Sequence, residues 1–411
     1  MRFVFHIDVN SAFLSWEAVN RLKSGETEDL RTVPAVVGGD QKSRRGIVLA
    51  KSIPAKRYGI KTGEPIASAL RKCPTLTVVP SNYPLYQEYS ESLREFLSHY
   101  SPLVEPFSVD ECYLEYTGME RLFGPPVVAA HAIREGIKER LGFTVNVGVS
   151  ENKLLAKMAS DFQKPDRVHT LFRSELSKKM WPLPVSDLFM VGRSSLPVLD
   201  QMGIHTIGDL ARTDPKLLTY RFKSQGITLW NYANGIDPTP VAPLPPPKSV
   251  GNSVTLPRDA KTKEEALPVL LKLSESVGSR LRHGGFQASL ISIVIKNADF
   301  SVSSHQQKLS SPISSTNEIY RIALSLFDAL WDASPIRLLG VSASTLSRQT
   351  DNQFLLWESA EQPRLDGAVD SLRDKFGAEI LTRGRTMKSD VTIRSTGPSS
   401  REYREMKNEK E

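Results

Sequence analysis

Cysteine is nearly missing: Cys73 and Cys112 are the two in 411 residues. That scarcity excludes a disulfide framework and a cysteine-built zinc site, so each thiol reads as a small buried apolar residue. Also missing is any apolar run near the roughly 20 residues that cross a bilayer, and the chain enters a strand pattern at once, without a signal-peptide pattern. No membrane and a cytoplasmic location are the expectation. A length of 411 residues exceeds what one core supports, so two to four domains are expected, and 40% hydrophobic content is ample to bury them.

What is present begins with charge. The formal net charge is +7, and between Glu17 and Cys73 there are 12 Lys and Arg against 6 Asp and Glu, nearly the whole excess on one short segment. Its runs KSRRG and AKSIPAKRYGIK lie beside glycines. They read either as a solvated face or, more sharply, as a surface for phosphate.

FSVDECYLEYTG, Phe107 to Gly118, places two adjacent carboxylates, Asp110 and Glu111, in a strand-like run. Neighbouring side chains of a strand point to opposite faces, so both acids serve one site only where the chain bends, as at a hairpin tip. RFVFHIDVN, Arg2 to Asn10, reads as a buried strand closing on Asp8, followed by helical spacing in SAFLSWEAVNRL. Asp8, Asn10 or Ser11 either caps that helix, or Asp8 joins the hairpin acids. Three such carboxylates can hold two Mg²⁺ ions about 3.5 to 4 Å apart, an arrangement that activates an attacking oxygen and steadies a leaving phosphate. That chemistry makes phosphodiester bonds.

Along the chain, IPAKRYGI sets Lys56 and Arg57 on a helical turn where paired cations can hold a triphosphate, with Tyr58 assigned to the core. The tyrosines of Ser81 to Pro102 fall at helical spacing, as packing residues or as a base-stacking surface. The strand Thr144 to Ser150 leads into a helix bounded by Ser150 and Pro165, with Lys153 and Lys157 four apart and Lys164 at its end, in reach of a nucleotide phosphate. Phe189 to Ile204 resembles one helix-hairpin-helix unit, in which Gly192 and Arg193 meet a DNA phosphate, or else an ordinary tight turn. A fuller signature would carry glycine at Met190.

GIDPTPVAPLPPPK, Gly235 to Lys248, is a semi-rigid linker. A small α+β domain follows from Ser249 to Thr345: strand, helix (263–282), a Gly284-Gly285 turn, strands near 289–296 and 301–309, helix (316–333) and a last strand. Arg258, Lys261, Arg280, Arg282 and Lys296 are expected partly on a sheet face that meets DNA backbone, or as plain surface. Beyond Ser347 the tail is polar and loose but carries QFLLW, Gln353 to Trp357. It either docks in a partner's groove or folds back as a short helix.

FHIDVNSAF, FSVDECYLEYTG and the VGVSENKLLAKMASDFQKP run, in that order, resemble the Y-family (DinB/UmuC-type) translesion DNA polymerases of bacteria, and the resemblance covers most of the chain. It implies an α+β multidomain right hand: a ferredoxin-like palm (1–13 and 73–165), small fingers (14–72), a helical thumb with a helix-hairpin-helix (166–236), a Pro-rich linker (237–247), an α+β little finger (248–346) and a flexible tail (347–411). Carried across by position, Asp8, Asp110 and Glu111 would be catalytic metal ligands, with the Val9 carbonyl as a backbone ligand. Phe13 would be the steric gate against a ribose 2′-OH, where helix-core packing is the other reading. Lys56 and Lys164 would grip the triphosphate, Ile47 and Gly63 would face the templating base pair, and Gly192 and Arg193 would touch DNA. Gln353, Phe354, Leu355, Leu356 and Trp357 resemble the pentapeptide that binds the bacterial sliding clamp. The implied cofactor is Mg²⁺, two per site, with Mn²⁺ able to substitute. The implied partners are primer-template DNA, dNTPs and the clamp, met by a monomer.

Many relatives carry a hydroxyl residue, a tyrosine and an arginine where Ala50, Ile53 and Lys56 stand here. Lysine keeps the charge and loses the fork, so Lys51, Ser52 or Arg57 is expected to compensate. The expected reaction is template-directed nucleotidyl transfer; no second carboxylate cluster suggests a proofreading nuclease, and the resemblance, with its small fingers, implies low fidelity, low processivity and tolerance of damaged templates. Its rivals are a non-catalytic DNA- and clamp-binding accessory protein of the same shape, and another palm-bearing enzyme such as a nucleotide cyclase.

Overall fold

The structure, a computed structural model, describes residues 1–39, 46–348, 361–377, 380–387, 391 and 393, except the side chains of 361 and 363. QFLLW and most of KSRRG lie outside the described residues. Two compact units divide the chain, residues 1–39 with 46–245, and residues from 246 onward.

The first unit opens with β1 (Val4–Val9), α1 (Ala12–Lys23), β2 (Ala35–Gly38), β3 (Val48–Lys51), α2 (Ile53–Arg57), α3 (Ile66–Lys72) and β4 (Thr77–Pro80). It continues through α4 (Tyr83–Ser98), β5 (Val104–Pro106), β6 (Glu111–Glu115), α5 (Glu120–Phe123), α6 (Pro126–Leu141), β7 (Val145–Ser150), α7 (Lys153–Asp161) and β8 (Val168–Thr170). The palm sheet runs β5-β6-β1-β7-β8, with β1 antiparallel to both β6 and β7. Every residue of β1 is buried, and the two-residue period of a strand splits them. Phe5, Ile7 and Val9 enter the core made with Tyr86, Leu93, Ile133 and Ile137 of α4 and α6. His6 and Asp8 are left for the opposite face, where α7 lies: the His6 ring bonds Ser160 of that helix.

The fingers sheet, β3-β2-β4, has its own core of Val36, Val48, Ala55, Ile60, Ile66 and Cys73. Both cysteines are buried, as expected. Tyr58 is not core: it follows the last turn of the five-residue α2 and is 49% exposed, because so short a helix buries only Ala55. The tyrosines of α4 divide, with Tyr86 and Tyr89 buried and Tyr83 exposed.

The thumb is built from α8 (Leu176–Lys179), α9 (Leu196–Gln201), α10 (Ile207–Arg212), α11 (Pro215–Phe222) and α12 (Ser224–Ala233) around Leu199, Ile207, Leu218 and Leu229. Between α8 and α9 stands a 3₁₀ turn at Val185–Asp187. Met190, where the fuller hairpin signature carries glycine, adopts φ 74°, the left-handed conformation that glycine accepts most readily.

In the second unit, β9 (Ser249–Ala260), α13 (Lys263–His283), β10 (Phe286–Asn297), β11 (Val302–Ile313), α14 (Thr316–Leu330) and β12 (Ile336–Arg348) follow the expected order. The sheet runs β11-β10-β12-β9, and its apolar residues share a core with α13 and α14. Two expectations are corrected here. Arg280 and Arg282 lie on α13 and bond inward, Arg280 to the Gly251 carbonyl and Arg282 to Asp370 and the Ser314 carbonyl, so neither belongs to an open sheet face. The tail is also not loose throughout: residues of α15 (Glu361–Phe376) bind α13 through Asp366, Asp370 and Asp374.

Candidate active site

Antiparallel pairing sets Asp8 directly opposite Glu111, so both carboxylates rise from the same sheet face. The chain bends just before Glu111: the Phe107 and Ser108 amides both donate to its carbonyl, at 2.9 and 3.2 Å. Asp110 sits in that turn. Its carbonyl accepts from the Val9 amide at 3.0 Å, while its carboxylate accepts from the Ser108 hydroxyl at 2.6 Å. The capping reading of Asp8, Asn10 or Ser11 falls away, since Ser11 is left-handed, α1 has no side-chain cap hydrogen bond, and the Asn10 side-chain amide donates to the Thr144 hydroxyl.

Each of the two facing carboxylates, Asp8 buried and Glu111 half-buried, carries a lysine. Lys164 Nζ lies 2.8 Å from Asp8 Oδ2 and 2.8 Å from Asp161 Oδ1. Lys157 Nζ donates to Glu111 Oε1 at 2.8 Å. Burial, reinforced by Glu111, pushes Asp8 up to about 7 against the pull of Lys164. Burial alone would lower Lys164, yet Asp8 and Asp161 hold it above its ordinary value. His6, enclosed completely, is held well below its ordinary value by burial and then by Lys157 and Lys164. The Ser160 hydroxyl donates to the Lys157 carbonyl, so it accepts from His6 Nδ1. The neutral ring therefore turns a bare Nε2 lone pair toward Glu111 Oε2, 3.9 Å away.

Among the described residues, no three His, Cys, Asp or Glu side chains gather tightly enough to hold a metal ion. Two carboxylates face each other and the third is engaged by Ser108. The donor chemistry nonetheless fits a hard divalent cation: the ligands are oxygens, from a buried Asp8 and a half-buried Glu111, and the two ammonium groups now paired with them occupy the charge that a cation would take over.

The remaining sequence-derived positions are dispersed. Phe13 is half-buried and stacks on Tyr86 with centroids 4.4 Å apart at 10°, so it packs against the core and remains partly exposed. Lys56 and Arg57 are exposed at the end of α2. Burial and the neighbouring Lys56 charge lower Lys51. Ser52 cannot serve as a phosphate donor, because its hydroxyl donates to the Val33 carbonyl and accepts from the Ala35 and Ala55 amides. Ile47 is exposed, and Gly63 takes φ 84°. Gly192 and Arg193 are exposed beside α9. Sequence reasoning noted Lys157 without assigning it and passed over His6. The alternation that puts His6 and Asp8 on one face was the available signal.

The impB/mucB/samB family model matches residues 7–161, and the model of that family's C-terminal domain matches residues 247–356. The chain is 45% identical over 390 residues to DNA polymerase IV of Clostridium acetobutylicum, covering 93% of this chain and 97% of that one. It is 38% identical over 392 residues to DNA polymerase IV of Acetivibrio thermocellus, covering 93% and 97%. Its fold matches a solved Y-family DNA polymerase chimera, Dbh-Dpo4(243-245)-Dbh, with a TM-score of 0.74 at 24% identity, over 84% of this chain and 98% of that one.

Proposed function

This chain belongs to the impB/mucB/samB family, that of the Y-family DNA polymerases, and on that footing we propose that Asp8, Asp110 and Glu111 drive its extension of a primer 3′-OH. It is a DNA-directed DNA polymerase acting in translesion synthesis. The observation that carries the assignment of its engine is the Asp8–Glu111 pair, facing across β1 and β6 with Lys164 and Lys157 as counter-charges.

Asp8, Glu111, Asp110 and the Val9 carbonyl are the groups to hold Mg²⁺, two per site with Mn²⁺ as a substitute, which when bound supplies Lewis-acid activation of the 3′-OH and charge neutralisation at the leaving pyrophosphate. Lys164 bridges Asp8 and Asp161 in the free protein, and a triphosphate competes for that ammonium. Lys56, exposed on α2, adds a second point charge on the fingers side. The Phe13 ring, backed by Tyr86, excludes a 2′-OH from the sugar position. Gly192 and Arg193 offer an amide and a cation to the DNA backbone. The QFLLW segment tethers the enzyme to the sliding clamp, and raised local concentration offsets weak DNA grip. The protein works as a cytoplasmic monomer; no described helix is long and apolar enough to cross a membrane.

Primer extension with Mg²⁺ tests the assignment. Wild type extends, while Asp110→Asn loses at least about a thousandfold in rate and keeps its DNA affinity. Extension by Asp110→Asn at the wild-type rate overturns the site. Failure of wild type to extend would favour the accessory-protein reading, which no observation supports at present.

A further inference from the structure

Besides balancing the charge of Glu111, Lys157 lies against two aromatic rings. It is 92% buried in α7, where its Nζ bonds Glu111 and also lies over two aromatic rings, 5.5 Å from Phe107 and 5.7 Å from Phe189. Those rings belong to different parts of the first unit. Phe107 begins the turn that carries Asp110 and Glu111, and its amide donates to the Glu111 carbonyl. Phe189 is a thumb residue, stacked in turn on Tyr232 of α12. The two rings meet edge to face at 6.0 Å. A buried ammonium in contact with two aromatic rings, with a carboxylate as its hydrogen-bond acceptor, has little freedom to move away.

We propose that Lys157 is a positioning residue that ties the orientation of the Glu111 carboxylate to the seat of the thumb through Phe107 and Phe189. When the thumb shifts on DNA, the Phe189 ring moves against Phe107 and the ammonium, and the carboxylate follows. A thumb seated on duplex then aligns Glu111, and an unseated thumb leaves it misaligned. The inference rests on the polymerase reading, and wild-type extension with loss in Asp110→Asn tests that reading separately.

The experiment compares wild type, Lys157→Met, Lys157→Arg, Phe189→Leu and the Lys157→Met/Phe189→Leu double variant on primer-template DNA. Single-turnover rates and dNTP affinities are measured at saturating Mg²⁺. Mn²⁺ affinity is measured by electron paramagnetic resonance with a chain-terminated primer, where no reaction occurs. The expected result is a loss of about a hundredfold in maximal rate for Lys157→Met with dNTP affinity within about twofold, and Mn²⁺ binding weakened about tenfold. Lys157→Arg recovers most of the rate. Phe189→Leu loses about tenfold alone and nothing further in the Lys157→Met background, the sign of one shared route. Tighter Mn²⁺ binding by Lys157→Met at an unchanged rate would make Lys157 a mere counter-charge and overturn the proposal. Independent, additive losses would overturn the link to the thumb. Should Lys157→Met not fold, Lys157→Arg and Phe189→Leu carry the same comparison.

Discussion

A Cβ placed on Gly148 would lie 1.9 Å from the Ala156 carbonyl oxygen and 2.6 Å from the Ser160 amide nitrogen. The bare backbone of β7 is thus the seat on which α7 rests, and α7 carries Lys157 and Ser160 over the acidic pair. Gly148→Ala is expected to cost about 3 kcal/mol through overpacking against rigid backbone. Urea unfolding measures the loss, and an unaltered midpoint would mean that α7 can lift freely.

Asp8 confers a particular pH dependence on the metal-free protein. Between its ordinary 3.8 and about 7, the folded chain keeps a proton that the unfolded chain has released. Stability from this group therefore falls as pH rises across that window. His6 acts in the opposite sense below 6.5, since it is neutral inside and charged when unfolded. Comparison of Asp8→Asn with wild type in EDTA separates the two. The variant should gain on wild type by up to about 1.4 kcal/mol per pH unit through the window. Parallel stability curves would contradict the buried-pair account.

The α15 clasp depends on Asp370, which accepts from Arg282 Nε at 2.6 Å and Nη2 at 3.0 Å. Asp370→Ala leaves the half-buried guanidinium short of its partner, and about 3 kcal/mol of the clasp is lost. Hydrogen exchange in 361–376 should then accelerate, and unchanged protection would show that the Asp366 and Asp374 contacts hold the helix without Asp370.

The same clasp weakens in alkali. His283 Nε2 lies 2.8 Å from Asp374 Oδ2; burial would lower this histidine, but Asp374 raises it above its ordinary 6.5. Its contribution is complete below pH 6.5 and lost as pH rises through the folded value. Exchange in α15, corrected for intrinsic rate, should be faster at pH 8.5 than at pH 6, and Asp374→Asn should abolish the difference.

Phe13 stands on a braced stack: Tyr86 lies beneath it and donates to Glu17 Oε1 at 2.8 Å. Phe13→Ala is expected to raise ribonucleotide use relative to deoxynucleotide by about a hundredfold, measured as a ratio of specificity constants. An unchanged ratio would assign the ring to packing alone.

Much of the architecture was legible before any coordinates. The order of elements from Ser249 onward, the strand closing on Asp8 and the bend at Asp110 all follow from periodicity and from glycine and proline positions. Tyr58 and Arg282 were misplaced for a physical reason. The exposure of a tyrosine after a one-turn helix, and the inward bond of an arginine to a residue 88 positions away, depend on neighbours that local spacing does not encode. Ser52 was offered to phosphate because a hydroxyl advertises itself, while the three backbone groups that occupy it become its neighbours only on folding.

The chain by itself determined which chemistry was available: three carboxylates in strand and turn contexts, lysines at helical spacing after β7, and an aromatic residue in the first turn of α1. Tertiary structure alone decided the pairings. Asp8 meets Glu111 through sheet register, Lys157 reaches Glu111 because Gly148 lets α7 lie against β7, and Asp110 faces Ser108 in the free protein. A residue's type and local period depend on nearby sequence, whereas a charge acquires its partner, its burial and its proton affinity only from atoms that folding brings beside it.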